Sequence, residues 1–418
     1  MLSTALRGKK LLISIGGHLS SAPRVQKEAK ALRDAGAIVF IRGTWWSQAL
    51  AAEDKALALA MGVDLAPVVD ISNTGIQSHL QRIRQRIGRE IFARFGWVTR
   101  SAFGIGTPEM LREARRINAD LTMVHSEAGL WVGKKLLADG RRVGVDFEDW
   151  FSQDLPLADR KGRPVSALQA LERQLLRDAH CCLTTSHALA GALASDAGTS
   201  RVPTVVPNCF PSAMRVNALR GTRDAKPDGV VSFHWFSQTI GPGRGLETLA
   251  LALPSLRGPW QVTLRGALRS HSDWFDSTFP VAVRSRVHLL DPVPNGDLLA
   301  RAMSHDVGLA LEVPFCSSRD LTATNKIFEY MRAGLAVIAT HTLGQAEVMR
   351  ACPGAGDLIP PEDPAALAAA MQKMLDDADY LANCRHFSDE AGCTVWSWEA
   401  HEAKLVRAIG NALVQPIL

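Results

Sequence analysis

At 418 residues the chain exceeds what one hydrophobic core organises, and two domains of about 200 residues are expected. Its 47 basic residues against 42 acidic ones make it only mildly basic, which gives no ground for a nucleic-acid partner. The 7 cysteines are odd in number, scattered and without a paired C-x-x-C, so they read as reduced core thiols of a cytoplasmic protein, not as a disulfide framework or zinc site. No run approaches the roughly 20 apolar residues that span a bilayer. Residues 11–15 are too short for the apolar region of a signal peptide and end in Gly-Gly.

In chain order, 11–15 read as a first buried strand, followed by the turn Gly16-Gly17-His18. Helical spacing over 24–35, ended by Gly36, leads to a second strand at 37–41, a βαβ unit that makes the sheet parallel. Gly16-Gly17 either turns tightly and no more, or lets a ligand approach the backbone closely.

Residues 76–100 differ. Ile76, Leu80, Ile83, Ile87, Ile91 and Phe95 recur every three or four residues and form one apolar stripe. Arg82, Arg84, Arg86, Arg89, Arg94 and Arg100 surround it, with Glu90 the acid among them, and Phe92 and Trp97 add aromatic surface. Either the stripe packs on the sheet and the arginines are solvated, or the helix lies on anionic lipid.

Residues 119–124 form the next strand, with His125-Ser126-Glu127 at its end, and a helix over 129–138 leads to 143–145. Asp146-Phe147-Glu148-Asp149 follows, with the D-x-D-like spacing of a metal pair. Residues 171–178 are helical, 181–185 extended, and Ser186 caps a helix over 188–193. The polar, nearly patternless stretch 213–228 is expected to be a linker.

A second strand-and-helix series opens at 230–235. Gly241-Pro242-Gly243-Arg244-Gly245 then feeds a helix N-terminus, where exposed N–H groups and the helix dipole cradle an anion. The spacing G-x-G-x-G is not the dinucleotide fingerprint, which argues against NAD. Strand 262–264 ends at Arg265-Gly266, strand 287–290 follows, and Asn295-Gly296-Asp297 caps a helix over 298–303. Residues 306–311 are a buried strand. After Ser317-Ser318-Arg319-Asp320 comes a helix over 325–334, with Asn325 as its cap and Gly334 as its left-handed terminus. Strand 335–340 leads to Gln345 and Glu347. Ligands of an open parallel sheet bind at the carboxyl ends of its strands. This stretch therefore delivers Arg319, Asp320, Asn325, Lys326, Glu329 and Gln345 to one edge. Helices over 364–375 and 400–414 complete the chain.

The wording Asn325-Lys326-Ile327-Phe328-Glu329-Tyr330-Met331, with Ala333-Gly334-Leu335, Val337-Ile338, Gln345 and Glu347, resembles the nucleotide-binding half of the GT-B glycosyltransferases. Within them it is similar to the retaining family GT4, which builds bacterial surface polysaccharides and glycolipids. Glu172, Ser186 and Pro207-Asn208 extend the resemblance weakly into the first half. The resemblance implies an α/β, GT-B fold of two Rossmann-like domains facing across a cleft. Residues 1–212 would be the acceptor domain, 213–228 the linker, 229–395 the donor domain, and 396–418 a helix crossing back. It implies that Glu329 holds the donor ribose and that Arg244, Lys326 and the amides of Gly243 and Gly245 meet the diphosphate. Gly17, Arg265, Asp320, Asn325 and Gln345 would complete the donor side. His125 would lie beside the sugar, unless it makes an ordinary strand-end hydrogen bond, and His18, Asp146 and Asp149 would face the acceptor. Two positions depart from the family pattern: Leu321 stands in place of a second Glu, and Thr239 in place of an Arg. No metal or other cofactor is implied. The implied partners are a nucleotide-sugar and a glycan or lipid-linked acceptor, with 76–100 on an anionic inner membrane face. A GT-B sugar-nucleotide epimerase and a catalytically silent nucleotide- or glycan-binding relative fit the same fold.

Overall fold

The computed structural model describes residues 6–416, apart from 74, 161 and 270 and the side chains at 77 and 157. The outermost residues of the expected first domain and last helix lie outside this range. The chain divides into two units, Met1–Val206 with Glu402–Leu418, and Pro207–His401.

The first unit begins β1 (Lys10–Ser14), α1 (Pro23–Asp34), β2 (Ile38–Trp45), α2 (Gln48–Met61), β3 (Asp64–Asp70), α3 (Ile76–Phe95) and α4 (Thr107–Ile117). It continues with β4 (Leu121–Val124), α5 (Ser126–Ala138), β5 (Val143–Phe147), α6 (Val165–Asp178), β6 (Cys181–Thr184), α7 (His187–Ala197) and β7 (Thr204–Val205). The strands form one parallel sheet in the order β3-β2-β1-β4-β5-β6-β7. The central strands are buried on both faces and read as apolar runs such as Leu11-Leu12-Ile13 and Leu121 to Val124. Helices start and stop where the sequence supplies caps. Ser186 accepts from Leu189 N at 3.1 Å to open α7, and Gly62 and Gly198, both left-handed, close α2 and α7.

The second unit runs α8 (Ser212–Ala218), β8 (Val231–Thr239), α9 (Leu246–Ala252), β9 (Trp260–Ala267), α10 (Ser272–Thr278), α11 (Val281–Arg284), β10 (Val287–Leu290) and α12 (Asn295–Ala302). Then come β11 (Val307–Ala310), α13 (Ser317–Leu321), α14 (Asn325–Ala333), β12 (Ala336–Thr340), α15 (Leu343–Ala351), β13 (Gly356–Ile359), α16 (Pro364–Asp376) and α17 (Ala378–Cys393). The helix α18 (Trp398–Val414) passes from the second unit into the closing segment of the first. The second sheet is also parallel, ordered β10-β9-β8-β11-β12-β13. One face packs Trp235, Leu264, Leu309 and Ile338 against α9 and α16. The other packs Ile327, Phe328, Tyr330 and Met331 of α14. Each such side chain, fully buried, contributes roughly 1.5–3 kcal/mol.

The stretch 213–228 is not a linker. It contains α8, and its Asp224 is locked into the second unit by Arg265, Arg301 and His305. Asn325 is the first residue of α14 and not its cap, the cap position being Thr324, whereas Gly334 is left-handed as the sequence implies. Five of the seven cysteines are buried thiols, Cys352 is half-buried and Cys393 exposed.

Candidate functional site

Both sheets reverse strand order at one point, between β1 and β4 and between β8 and β11, and such switch points are where parallel sheets bind ligands. In the second unit the loop after β8 passes over the end of β11. Gly245 there has φ +76°, and a Cβ on it would sit 2.5 Å from the Leu311 carbonyl oxygen. Only glycine allows that approach. Gly243, also left-handed, donates its N–H to Glu247 Oε1 at 2.9 Å, and the exposed Arg244 reaches Ser237 Oγ at 2.9 Å.

Helix α14 is seated by its own chemistry. Gly308 on β11 has no Cβ, and one built there would meet the Tyr330 ring at 2.1 Å. The ring lies flat on the strand and its hydroxyl donates to Leu309 O at 3.3 Å. Lys326, one helical turn before Tyr330 on the same side, and Glu329, the residue just before Tyr330, are thereby held on a seated helix. Glu329 is buried at 2 % exposure, not solvated. Lys326 Nζ donates to Glu312 Oε1 at 2.6 Å, and Thr324 Oγ1 donates to the same oxygen at 3.2 Å. Burial alone would push the Glu312 carboxyl up; Lys326 outweighs it, and the group is held below the usual carboxylate range. Sequence reasoning missed Glu312, because nothing in Leu311-Glu312-Val313-Pro314 marks it before the fold brings it to Lys326.

Three expected donor residues serve the fold. Arg265 is 4 % exposed and turned onto Asp291 O at 2.9 Å and onto Asp224 Oδ2. Gln345 is fully buried, its Nε2 donating to Ala310 O, Thr340 O and Thr340 Oγ1 at 3.1, 2.9 and 3.0 Å, which ties the ends of β11 and β12 together. Asp320 accepts from Leu343 N at 3.1 Å and so anchors the start of α15.

In the first unit Gly17 is required by a protein contact. A Cβ there would lie 2.2 Å from the Trp46 ring. His18 is buried with both ring nitrogens engaged: Nδ1 meets Asp54 Oδ2 at 2.7 Å, and Nε2 accepts from Trp46 N at 3.0 Å and Ser47 N at 3.2 Å. It pins the turn into α2 and does not face an acceptor. Asp146 is likewise buried, its Oδ2 bound by Arg24 Nε at 2.7 Å, while Asp149 is half-buried in the loop beyond.

His125 sits at the carboxyl end of β4, next to Ser126, whose φ of +69° is strained for a side-chain-bearing residue. Gly16 makes room for it, a Cβ there lying 3.0 Å from Ser126 Cβ. The imidazole Nε2 is 3.0 Å from Glu28 Oε2, and Nδ1 is 3.7 Å from Glu148 Oε1. Burial opposes the charged ring, but the Glu28 and Glu148 carboxylates prevail and raise the His125 pKa well above its ordinary value. Burial pushes the Asp146 carboxyl up against the pull of Arg24. Ligand atoms of Glu28, His125 and Asp146 lie within 4.8 Å of one another, a spacing a metal ion could use, but the Arg24 guanidinium already places a cation on Asp146. Sequence reasoning missed Glu28 and Arg24, which α1 contributes from far away in the chain.

Most of the apolar stripe of α3 faces solvent, Ile91 alone of the six being half-buried. Ile76, Leu80, Ile83 and Ile87 are exposed, as are Phe95 and Trp97. What α3 turns inward is Ser78 and Gly88, and a Cβ on Gly88 would meet Thr99 Oγ1 at 2.7 Å. Among the described residues no helix is long and apolar enough to cross a membrane.

Two parallel, helix-covered sheets of this kind define the GT-B fold. HepE of Anabaena, solved with UDP, matches with a TM-score of 0.66 at 15 % identity over 96 % of this chain and 99 % of that one. Sucrose-phosphate synthase of Thermosynechococcus elongatus matches at 0.67 and 16 % identity over 96 % and 98 %. A putative UDP-N-acetylglucosamine 2-epimerase of Listeria monocytogenes matches at 0.56 and 12 % identity over 96 % and 94 %. Residues 235–377, within the second unit, match the family model described as glycosyl transferases group 1. No curated protein matches the chain.

Proposed function

We propose that the protein transfers a sugar from a nucleotide-sugar bound by its second unit to a glycan, glycolipid or other acceptor at its first, with retention of configuration. The observation that carries this reading is the edge formed by the 243–245 loop, Arg244, the Lys326–Glu312 pair and Glu329, inside the matched span 235–377. Glycosyl transfer passes through an oxocarbenium-like state while a diphosphate leaves. Fixed cations and N–H groups stabilise the charge growing on that leaving group. Arg244, Lys326 and the amide of Gly245 take this part, the Gly243 N–H being held by Glu247 Oε1, and α14 turns its N-terminus the same way. Glu329 positions the ribose, and His125, held cationic by Glu28, is the first-unit group nearest in role to the sugar. The diphosphate charge needs no metal in this scheme, so EDTA leaves turnover intact. HepE has been solved with UDP and glucose, which supports a nucleotide-sugar donor here. Retention rests on the resemblance to family GT4.

The acceptor is lipid-linked in this reading, and the protein is cytoplasmic and peripheral on the inner membrane face. Support comes from α3, where Ile76 is 80 % and Trp97 71 % exposed among arginines. Such a face gains up to roughly 1 kcal/mol per basic residue near an anionic surface. Vesicle sedimentation at low salt should show binding to anionic and not neutral liposomes. Charge reversal at Arg82, Arg86 and Arg89 should weaken it without unfolding the protein.

Incubation with a panel of sugar nucleotides and acceptors tests the activity itself. Free nucleoside diphosphate together with a glycosylated acceptor is the expected result. An isomerised sugar nucleotide would instead identify an epimerase, and no product a silent binder.

A further inference from the structure

We propose that the groove between α3, α4 and α5 binds the phosphomonoester headgroup of a membrane lipid. The inference rests on the membrane-docking reading of α3 but not on glycosyl transfer. The groove has a volume of about 460 Å³ and is lined by Arg84, Arg100, Arg112 and Arg115, with Glu109 its one acid and Trp131 an aromatic wall. Arg115 is neutralised by Asp139, which it holds at 2.7 and 2.9 Å. Glu109 lies 3.8 Å from Arg84. Among the described residues neither Arg100 nor Arg112 is paired with a carboxylate. Four guanidiniums against the carboxylates of Glu109 and Asp139 leave an excess of two positive charges. A phosphomonoester carries about 1.5 to 2 negative charges at neutral pH and presents oxygens that guanidinium forks bind in pairs. A phosphodiester, with one charge and two free oxygens, leaves the excess uncompensated. The backbone at Gly106, left-handed at φ +76° before the first turn of α4, lies in the same wall and adds the positive end of a helix of 11 residues.

The membrane source follows from the neighbouring face of α3. Gln81 and Arg84 line the groove, while Leu80 and Ile83, each adjacent to one of them in sequence, belong to the solvent-exposed stripe. A stripe seated about 5–10 Å into the lipid boundary sets the groove at headgroup level.

The test uses the full chain and vesicles of phosphatidylcholine doped with phosphatidic acid or with phosphatidylglycerol, matched for surface charge. The wild type should bind the phosphatidic acid vesicles at least about fivefold more tightly, as a dianion on paired guanidiniums requires. Arg100→Ala with Arg112→Ala should abolish that preference while leaving phosphatidylglycerol binding in place, and Arg112→Gln alone should reduce it. Equal binding of the two vesicles by the wild type overturns the site and leaves α3 docking standing. Binding to neither overturns both. Full displacement by millimolar glycerol 3-phosphate assigns the groove to a soluble phosphate and overturns the lipid source.

Discussion

Lys326 donates to Glu312 across 2.6 Å, so the cation that α14 presents at the sheet edge is already half-answered by a buried carboxylate. The pair holds the ammonium in place, and under the proposed function it also moderates its pull on an incoming diphosphate. Replacing the acid should release that pull. Glu312→Gln, which keeps a partner for Thr324, is expected to tighten nucleoside diphosphate binding about tenfold, or 1.4 kcal/mol, and to leave nucleoside binding unchanged. Titration calorimetry with both ligands reads the difference, and equal weakening of the two would show that Glu312 only supports the fold.

In the proposed function Glu329 and Arg244 divide the donor between them. Glu329→Ala and Arg244→Ala should each lower turnover at least about tenfold, some 1.4 kcal/mol of transition-state stabilisation. Steady-state kinetics with the active sugar nucleotide measures this, and wild-type rates in both variants would remove these residues from the site.

Arg265 and Asp224 make a buried ion pair, each under a tenth exposed. Breaking one side of such a pair leaves a stranded charge, and Asp224→Asn should cost about 3 kcal/mol or more. Denaturant unfolding should show an earlier transition for the second unit. Arg265→Met combined with Asp224→Leu should recover much of the loss. An unchanged midpoint in Asp224→Asn would return Arg265 to the donor side.

Burial pushes the Glu172 carboxyl up to about 7, against the N–H of Ser152 that donates to it at 3.0 Å. Its folded pKa lies above the unfolded value near 4.3, so the folded state holds this proton more tightly. The associated stability is complete below about pH 4.3 and is lost as pH rises through about 7, to a total of about 4 kcal/mol. Glu172→Gln should therefore gain on the wild type between pH 5 and pH 8 in thermal unfolding. A constant difference across that range would contradict the assignment.

The sequence carries local information well and long-range partnership poorly. The run from β11 to β12 was legible because Gly334 ends α14 in the left-handed conformation and the flanking strands are continuous apolar runs. Helix α2 and strand β3 carry no clear sequence signal. The Ala-rich α2 has no clear apolar face, and β3, half-exposed and carrying Pro67, shows neither alternation nor a buried run. The patternless 213–228 stretch looked like a linker because Asp224 finds Arg265 and His305 only in the fold. His18 and Gly17 looked ligand-facing because their partners, Asp54 and the Trp46 ring, lie well along the chain. The stripe of α3 was visible as a pattern, but period alone could not say whether it faced sheet or solvent.

Under the proposed function the second unit binds a nucleoside diphosphate through Arg244. A thermal-shift screen of the full chain against UDP, GDP, ADP and dTDP, repeated on Arg244→Ala, tests it most directly. A ligand at 100 times its dissociation constant adds about 2.7 kcal/mol of stability. One of the four should raise the melting temperature of the wild type, and the variant should lose most of that rise. No shift with any of them, or an equal shift in Arg244→Ala, would contradict the account.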